Sequence, residues 1–180
     1  MRVDVVPHDP NWISLFELEA LGLRDALGED QVTVHHIGST AVPGIEAKPI
    51  IDILLEVRSL DWLDVNATRV TALGYEGLGE CGIPGRRYFR KSNELGIRSH
   101  QIHAFELGSS GATRHLAFRD YLRAHPDVAA EYSLLKQQLA ASCQHQIELY
   151  MAGKDPFIKH HEALALRWAS ESGRSPVIPS

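Results

Sequence analysis

The chain has 180 residues, 44% of them hydrophobic and 23% charged, and its 18 Lys+Arg against 23 Asp+Glu give a formal net charge of −5. These proportions exclude global disorder, and the acidic balance lacks the overall positive footprint of a nucleic-acid binder, leaving only a local basic cleft open. The length suits one domain, expected over residues 1–172, with residues 173–180 as a frayed tail containing Gly173, Pro176 and Pro179.

Val3, Val5 and the following Pro7 suggest a short first strand. Asp9 followed by Pro10 is a helix start: a capping carboxylate, then a residue whose missing N–H costs nothing at the first helical position. Trp12, Leu15, Phe16, Leu23 and Leu27 recur at helical spacing, so residues 10–27 read as an amphipathic helix ending near Gly28. The N-terminal segment has no apolar core suited to a signal peptide, and nowhere do about 18 apolar residues run uninterrupted. Cys81 and Cys143 are far apart and in no metal-like or CxxC spacing. Two free thiols in a reducing compartment are therefore expected, and the protein is read as cytoplasmic.

Residues 31–37 (QVTVHHI) are rich in β-branched side chains and read as a strand, which runs into GSTAVPG, too rich in Gly, Pro and small residues for a regular element. Residues 49–57 (PIIDILLEV) form an apolar run broken by Asp52 and Glu56, the pattern of a strand buried on both faces. Residues 60–73 read as a helix with Gly74 past its end, and 75–85 as a glycine-rich loop or strand edge. Residues 86–91 and 97–107 read as a hairpin closed by the SNELG turn. The remainder reads as helices over 112–124, 127–152 and 156–170, broken at His125-Pro126 and Asp155-Pro156. The sum is an α+β fold, a central sheet with a helical C-terminal third packed on it.

The segment richest in chemistry is HHIGSTAVPGIEAKPIID, residues 35–52. Gly38 lets the backbone approach a ligand, Ser39 offers a hydroxyl and an N–H, and with Thr40 they make a turn able to hold phosphate. Asp52 sits inside an apolar strand, where a carboxylate is expensive without a partner. Either it is structural, bonded to the turn or to Lys48, or it serves a cation. A Ser at the ligand and an Asp on a cation suit phosphoryl or nucleotidyl transfer, which is mostly charge neutralisation and positioning.

The same residues, HIGSTAVPGIEAKPIIDI, strongly resemble the signature of the GrpB (UPF0157) family, placed in the nucleotidyltransferase superfamily with the polymerase-β-like fold. DPNW, FRDYLRAHPDVAAEYSLLK (118–136) and YMAGKDPFI (150–158) also look like this family, so the resemblance covers nearly the whole chain. It implies a central mixed sheet, a Gly-Ser turn (Gly38, Ser39) against a nucleoside triphosphate, and a metal-binding carboxylate at Asp52. Divalent Mg or Mn would be the cofactor. The departure is Leu54, which stands where active nucleotidyltransferases carry a second carboxylate. Glu56 shares the face of Asp52 yet lies about 13 Å further along the strand. Help is expected from RSHQIHAFE, residues 98–106, where His103 and Gln101 alternate onto one face and His100 onto the other. His103 is the candidate second metal ligand, better suited to Mn²⁺ or Zn²⁺ than to Mg²⁺, with His36 and His100 in reserve.

Lys48, Arg86, Arg87, Arg90, Lys91 and Arg98 gather in or beside the strands, either as phosphate partners or as a solvated hairpin face. Lys48, Arg98 and Lys154 are the candidate phosphate-binding cations, whereas Arg119 and Arg123 read as ties between helices and sheet. Of the ten histidines, His8, His115, His125, His145, His160 and His161 are expected at the surface and His35 in sheet packing. No Walker or GxSxG motif is present. The leading reading is a metal-dependent nucleotidyltransferase-like enzyme with Asp52 and Ser39 at its centre and an unknown acceptor. The alternative is an inactive nucleotide- or phosphate-binding module of the same fold, to which the family's occurrence beside dephospho-coenzyme A kinase adds a coenzyme A link. A weaker third is a histidine-based metal hydrolase.

Overall fold

The computed structural model describes residues 4–143 and 146–173. Five strands form one mixed sheet in the order β1 (Val32–Ile37), β2 (Ile51–Val57), β5 (Arg98–Glu106), β4 (Arg87–Ser92), β3 (Glu76–Gly77). Only the β2–β5 pair is parallel. Its crossover carries α2 (Leu60–Thr71) and the β3–β4 edge, as parallel strands require a long connection.

One sheet face is closed by α1 (Asn11–Leu27) and α2. Trp12, Leu23, Leu27 and Leu63 pack there on Val34, Ile53, Leu55 and Ile102, all at most 5% exposed. Asp9 Oδ1 accepts the Asn11 N–H at 2.9 Å, so the expected carboxylate cap is present, with α1 beginning one residue after Pro10. The other face splits. Ile37, Leu54 and Phe105 are covered by Ala112 and Leu116 of α3 (Ser110–Ala124). Asp52, Gln101 and Tyr88 are left facing a cleft beneath α4 (Pro126–Cys143) and α5 (Ile147–Glu171).

Three sequence expectations need correction. Near the N-terminus the only pairing among the described residues is a single bridge, Val6 to Ala47, because a lone partner cannot extend a ladder; Val3 lies outside the described residues. The helix expected to break at Pro156 runs through it: α5 is continuous from Ile147 to Glu171, and the break falls after Cys143. Pro156 removes the N–H that would bond the Ala152 carbonyl. Even so, Tyr150, Lys154, Phe157, His161 and Ala165 lie at helical spacing along one packed stripe, and that burial outweighs the loss. Gly153 is part of this fit, since a Cβ there would stand 3.0 Å from Leu139 Cδ1 of α4.

The third correction concerns histidines. His161 is buried against the Phe157 ring at 4.2 Å, and half-buried His125 packs between Tyr121 and Trp168. Half-buried His115 stands 5.1 Å from the His103 ring, and His8 meets Trp12 edge-on at 5.2 Å. Only His160 is at the surface as expected; His145 and residues 174–180 of the expected tail lie outside the described residues. Cys81 and Cys143 are both free thiols. No helix of the described residues is long and apolar enough to cross a membrane.

Candidate functional site

β1 delivers the chain to Gly38, whose φ of 72° is a conformation glycine alone adopts freely. A Cβ there would come within 2.8 Å of the Asp52 Cβ, so the turn passes directly over the carboxylate of the neighbouring strand. Ser39–Ala41 form one turn of 3₁₀ helix. The Thr40 hydroxyl donates to the Ile50 carbonyl at 3.4 Å and so accepts from His36 Nε2 at 2.9 Å. His36 stacks on Phe16 at 4.7 Å, and burial pushes its pKa down to about 4, which keeps the ring neutral and the bond one-directional.

Asp52 pairs with Ile37 on β1 and with Gln101 on β5, so Asp52, Gln101 and His103 share a face. Gln101 Nε2 donates to Asp52 Oδ1, and the Tyr88 hydroxyl donates to Gln101 Oε1 at 2.7 Å. This chain of donors fixes the carboxylate. His103 Nε2 lies 3.9 Å from Asp52 Oδ1. Its other nitrogen, Nδ1, is 3.3 Å from Arg86 Nη1. A guanidinium only donates, so Nδ1 accepts and Nε2 carries the hydrogen. Arg86 is itself held by the Glu80 and Cys81 carbonyls at 3.1 and 2.8 Å.

The cleft has a volume of about 470 Å³. Lys48, Arg86, Arg90, Arg98, Lys136 and Lys154 line it, with Asp52 the only carboxylate among the lining residues. Lys48 and Lys154 flank Tyr150 at 4.4 and 4.7 Å from its ring centroid, and Lys136 lies 4.6 Å from that of Tyr132. Among the described residues none of Lys48, Lys136, Lys154 and Arg98 is ion-paired with a carboxylate within 4 Å. Burial, then Lys154 and Arg98, pushes Lys48 down to about 8; burial, then Lys154, pushes Lys136 down to about 7. Lys154 is also lowered by burial, against the opposing pull of Asp52. Crowded, half-desolvated amines of this kind favour an anion that would restore their charge.

Gly38, Ser39, Thr40, Lys48, Asp52, Arg98, His103 and Lys154 thus all stand at or around this cleft. His100 does not: it lies on the opposite sheet face, 3.9 Å from Glu19, where Lys91 bonds the same carboxylate. His36 is committed to Thr40. Of the basic hairpin residues, Arg87 turns away to Asp64, and Arg90 lines the cleft while bonding Glu76 at 2.7 Å. Arg119 and Arg123 donate to the His36 and Ala41 carbonyls at 3.1 and 2.9 Å, tying α3 to β1 and its following turn. Lys136 was not foreseen as a site residue. Its signal was its place on α4 in line with Ala129 and Tyr132, an apolar stripe where a lysine needs a reason.

A divalent cation fits this donor set poorly. Leu54 is fully buried among Ile37, Phe105, Ala112 and Leu116, so no second carboxylate stands beside Asp52. Glu56 is buried too, but binds His35 Nε2 at 2.8 Å and the Gly108 N–H at 3.3 Å. His103 presents a protonated nitrogen toward Asp52. Among the described residues no three His, Cys, Asp or Glu side chains are grouped to hold a metal ion.

A family model described as GrpB protein matches residues 2–163. UPF0157 protein YqkA of Bacillus subtilis is 44% identical over 93% of the chain, which spans about half (48%) of that protein. Glutamate-rich protein GrpB of Alkalihalophilus pseudofirmus is 38% identical, covering 87% of the chain and 92% of the relative. A protein named dephospho-CoA kinase in Mycolicibacterium paratuberculosis is 29% identical over 97% of the chain and 48% of its own length. The crystal structure of conserved protein GrpB from Enterococcus faecalis superposes with a TM-score of 0.85 at 42% identity, covering 91% of this chain and 98% of that one. The Cid1 poly(U) polymerase with Mg 3′-dATP bound superposes with a TM-score of 0.53 at 14% identity, over 76% of this chain and 43% of that one. The fold is that of the nucleotidyltransferases.

Proposed function

The chain belongs to the GrpB family, and we propose that its cleft binds a phosphate-bearing nucleotide, a nucleoside triphosphate first among them. The observation that carries this is the wall of six cations around a single carboxylate. The phosphates would lie against Ser39 and Thr40 with Lys48, Arg98 and Lys154 as counter-charges, the lysine ammonium groups as point charges and Arg98 as a fork. The nucleotidyltransferase fold supports the same ligand class. Coenzyme A, itself a phosphate-bearing nucleotide, is included because a relative is named dephospho-CoA kinase.

Nucleotidyl transfer is the second reading. The place of Asp52 beneath the Gly38-Ser39 turn favours it, and Mg or Mn would supply the charge stabilisation for attack on the α-phosphate. The metal would fall to Asp52 and His103. Because that donor set fits such an ion poorly, binding without transfer is the better-supported function.

The test is thermal stabilisation by ATP, CTP, GTP, UTP and coenzyme A. Saturation at about a hundred times Kd stabilises by about 2.7 kcal/mol, a Tm rise of roughly 5–10 °C for a chain of this size. Lys154→Met is expected to abolish the rise. No rise with any of the five in the wild-type protein overturns the reading.

A further inference from the structure

Resting on the proposed anion cleft, we infer that its polyanion is bound free of divalent metal, with side-chain cations where ions would otherwise neutralise the phosphates. Three independent features of the site lead there. The position beside Asp52 that would complete a metal centre is filled by Leu54, which is 0% exposed and locked into the Ile37–Phe105–Leu116 packing beneath α3. The Asp52 carboxylate is already engaged by Gln101, which Tyr88 holds in turn, and His103 offers it an N–H rather than a lone pair. Finally, a divalent cation entering the cleft would meet Lys48, Lys154 and Arg98, none ion-paired with a carboxylate within 4 Å among the described residues. Repulsion from three such neighbours in a partly desolvated cleft exceeds what one carboxylate returns.

The charge of the ligand follows from the same count. Arg90 is already neutralised by Glu76, so the five remaining side-chain cations against Asp52 leave a formal surplus of 5 − 1 = 4 when all the amines are protonated. An uncomplexed triphosphate matches that surplus better than its magnesium complex, whose charge is smaller by two. Lys48, Lys136 and Lys154 come from the loop before β2, from α4 and from α5, while Arg86 precedes β4 and Arg98 opens β5. A lysine wall from a loop and two helices and an arginine wall from the sheet therefore converge on one chain of phosphates, and the lysines do for the phosphates what ions do elsewhere.

The experiment is calorimetric titration of the full chain with inorganic tripolyphosphate at pH 7 and constant ionic strength. One arm contains EDTA, and parallel arms contain excess Mg²⁺ or Mn²⁺. Binding is expected in EDTA and is expected to weaken at least tenfold with either ion, because the complexed ligand is the poorer match. Asp52→Asn, which removes only a negative charge from the anion site, is expected to bind several-fold more tightly in EDTA. Binding that requires or is tightened by either ion overturns the inference, as does loss of binding in a folded Asp52→Asn protein. Absence of binding in every arm would instead refute the anion cleft itself.

Discussion

Raising the pH from 7 to 8.5 should loosen a polyanion from this cleft even though the ligand becomes, if anything, more negative. The cause is the lysine pair Lys48 and Lys136, pushed down to about 8 and about 7. Lys48 faces Lys154 on α5, Arg98 on β5 and Asp52 on β2; Lys136 faces Lys154 and Glu46 and lies over Tyr132. A bound phosphate chain would hold both amines charged, near their ordinary pKa of about 10.4, so binding takes up whatever protons the free protein lacks. At pH 7.5 the deficit is about a quarter of a proton at Lys48 and three quarters at Lys136, about one in all. Integrated from pH 7 to 8.5, the affinity falls about fourfold through Lys48 and about sixteenfold through Lys136, roughly sixty-fold together. The first of the two terminal ionisations of tripolyphosphate is largely complete by about pH 7. The last, raised by repulsion within the chain, falls in or just above this window and acts in the opposite direction, so roughly sixty-fold is the upper bound of the fall. Titrations of tripolyphosphate in buffers of different ionisation enthalpy read both the proton uptake and the affinity. Lys136→Met should reduce the pH dependence to the fourfold share of Lys48. An affinity that is flat or rises between pH 7 and 8.5 would refute the reasoning.

Gly38→Ala forces a side chain into a φ of 72° and onto Asp52, so it should lose about 1–3 kcal/mol in urea unfolding together with tripolyphosphate binding. Wild-type values for both would show that the turn does not rest on the carboxylate. His36 is lowered to about 4 by burial, with Asp52, Arg123, Arg119 and His8 around it, whereas an unfolded histidine titrates near 6.5. The unfolded chain therefore binds more protons between those values, and stability rises with pH through that window and is lost on acidification. Its share between pH 6.5 and 4.5 is about 2 kcal/mol, and His36→Gln, which keeps a donor to Thr40, should flatten the acid limb by that amount. An unchanged acid limb in that variant would count against a neutral, buried His36.

Local pattern determined much of this protein. The β-branched run before Gly38, the apolar run around Asp52 and the SNELG hairpin each specify an extended segment through side chains whose packing preferences act over a few residues. The GST turn and its carboxylate were legible for the same reason, since glycine and a buried charge announce themselves without knowledge of their surroundings. Tertiary structure decided whatever depends on which surfaces meet. Pro156 looked like a helix break until the stripe from Tyr150 to Ala165 was packed against α3 and α4, and the same packing buried His161. His100 and His103, three residues apart on one strand, went to opposite faces, one to Glu19 and the other toward Asp52. Lys136 joined the cleft from a helix more than 80 residues beyond Asp52. The acidic net charge, −5 over the whole chain, was legible from composition and silent about the cleft. Charge sums over a sequence, but an electrostatic site depends on distance and dielectric, and only the folded chain brings six cations around one carboxylate.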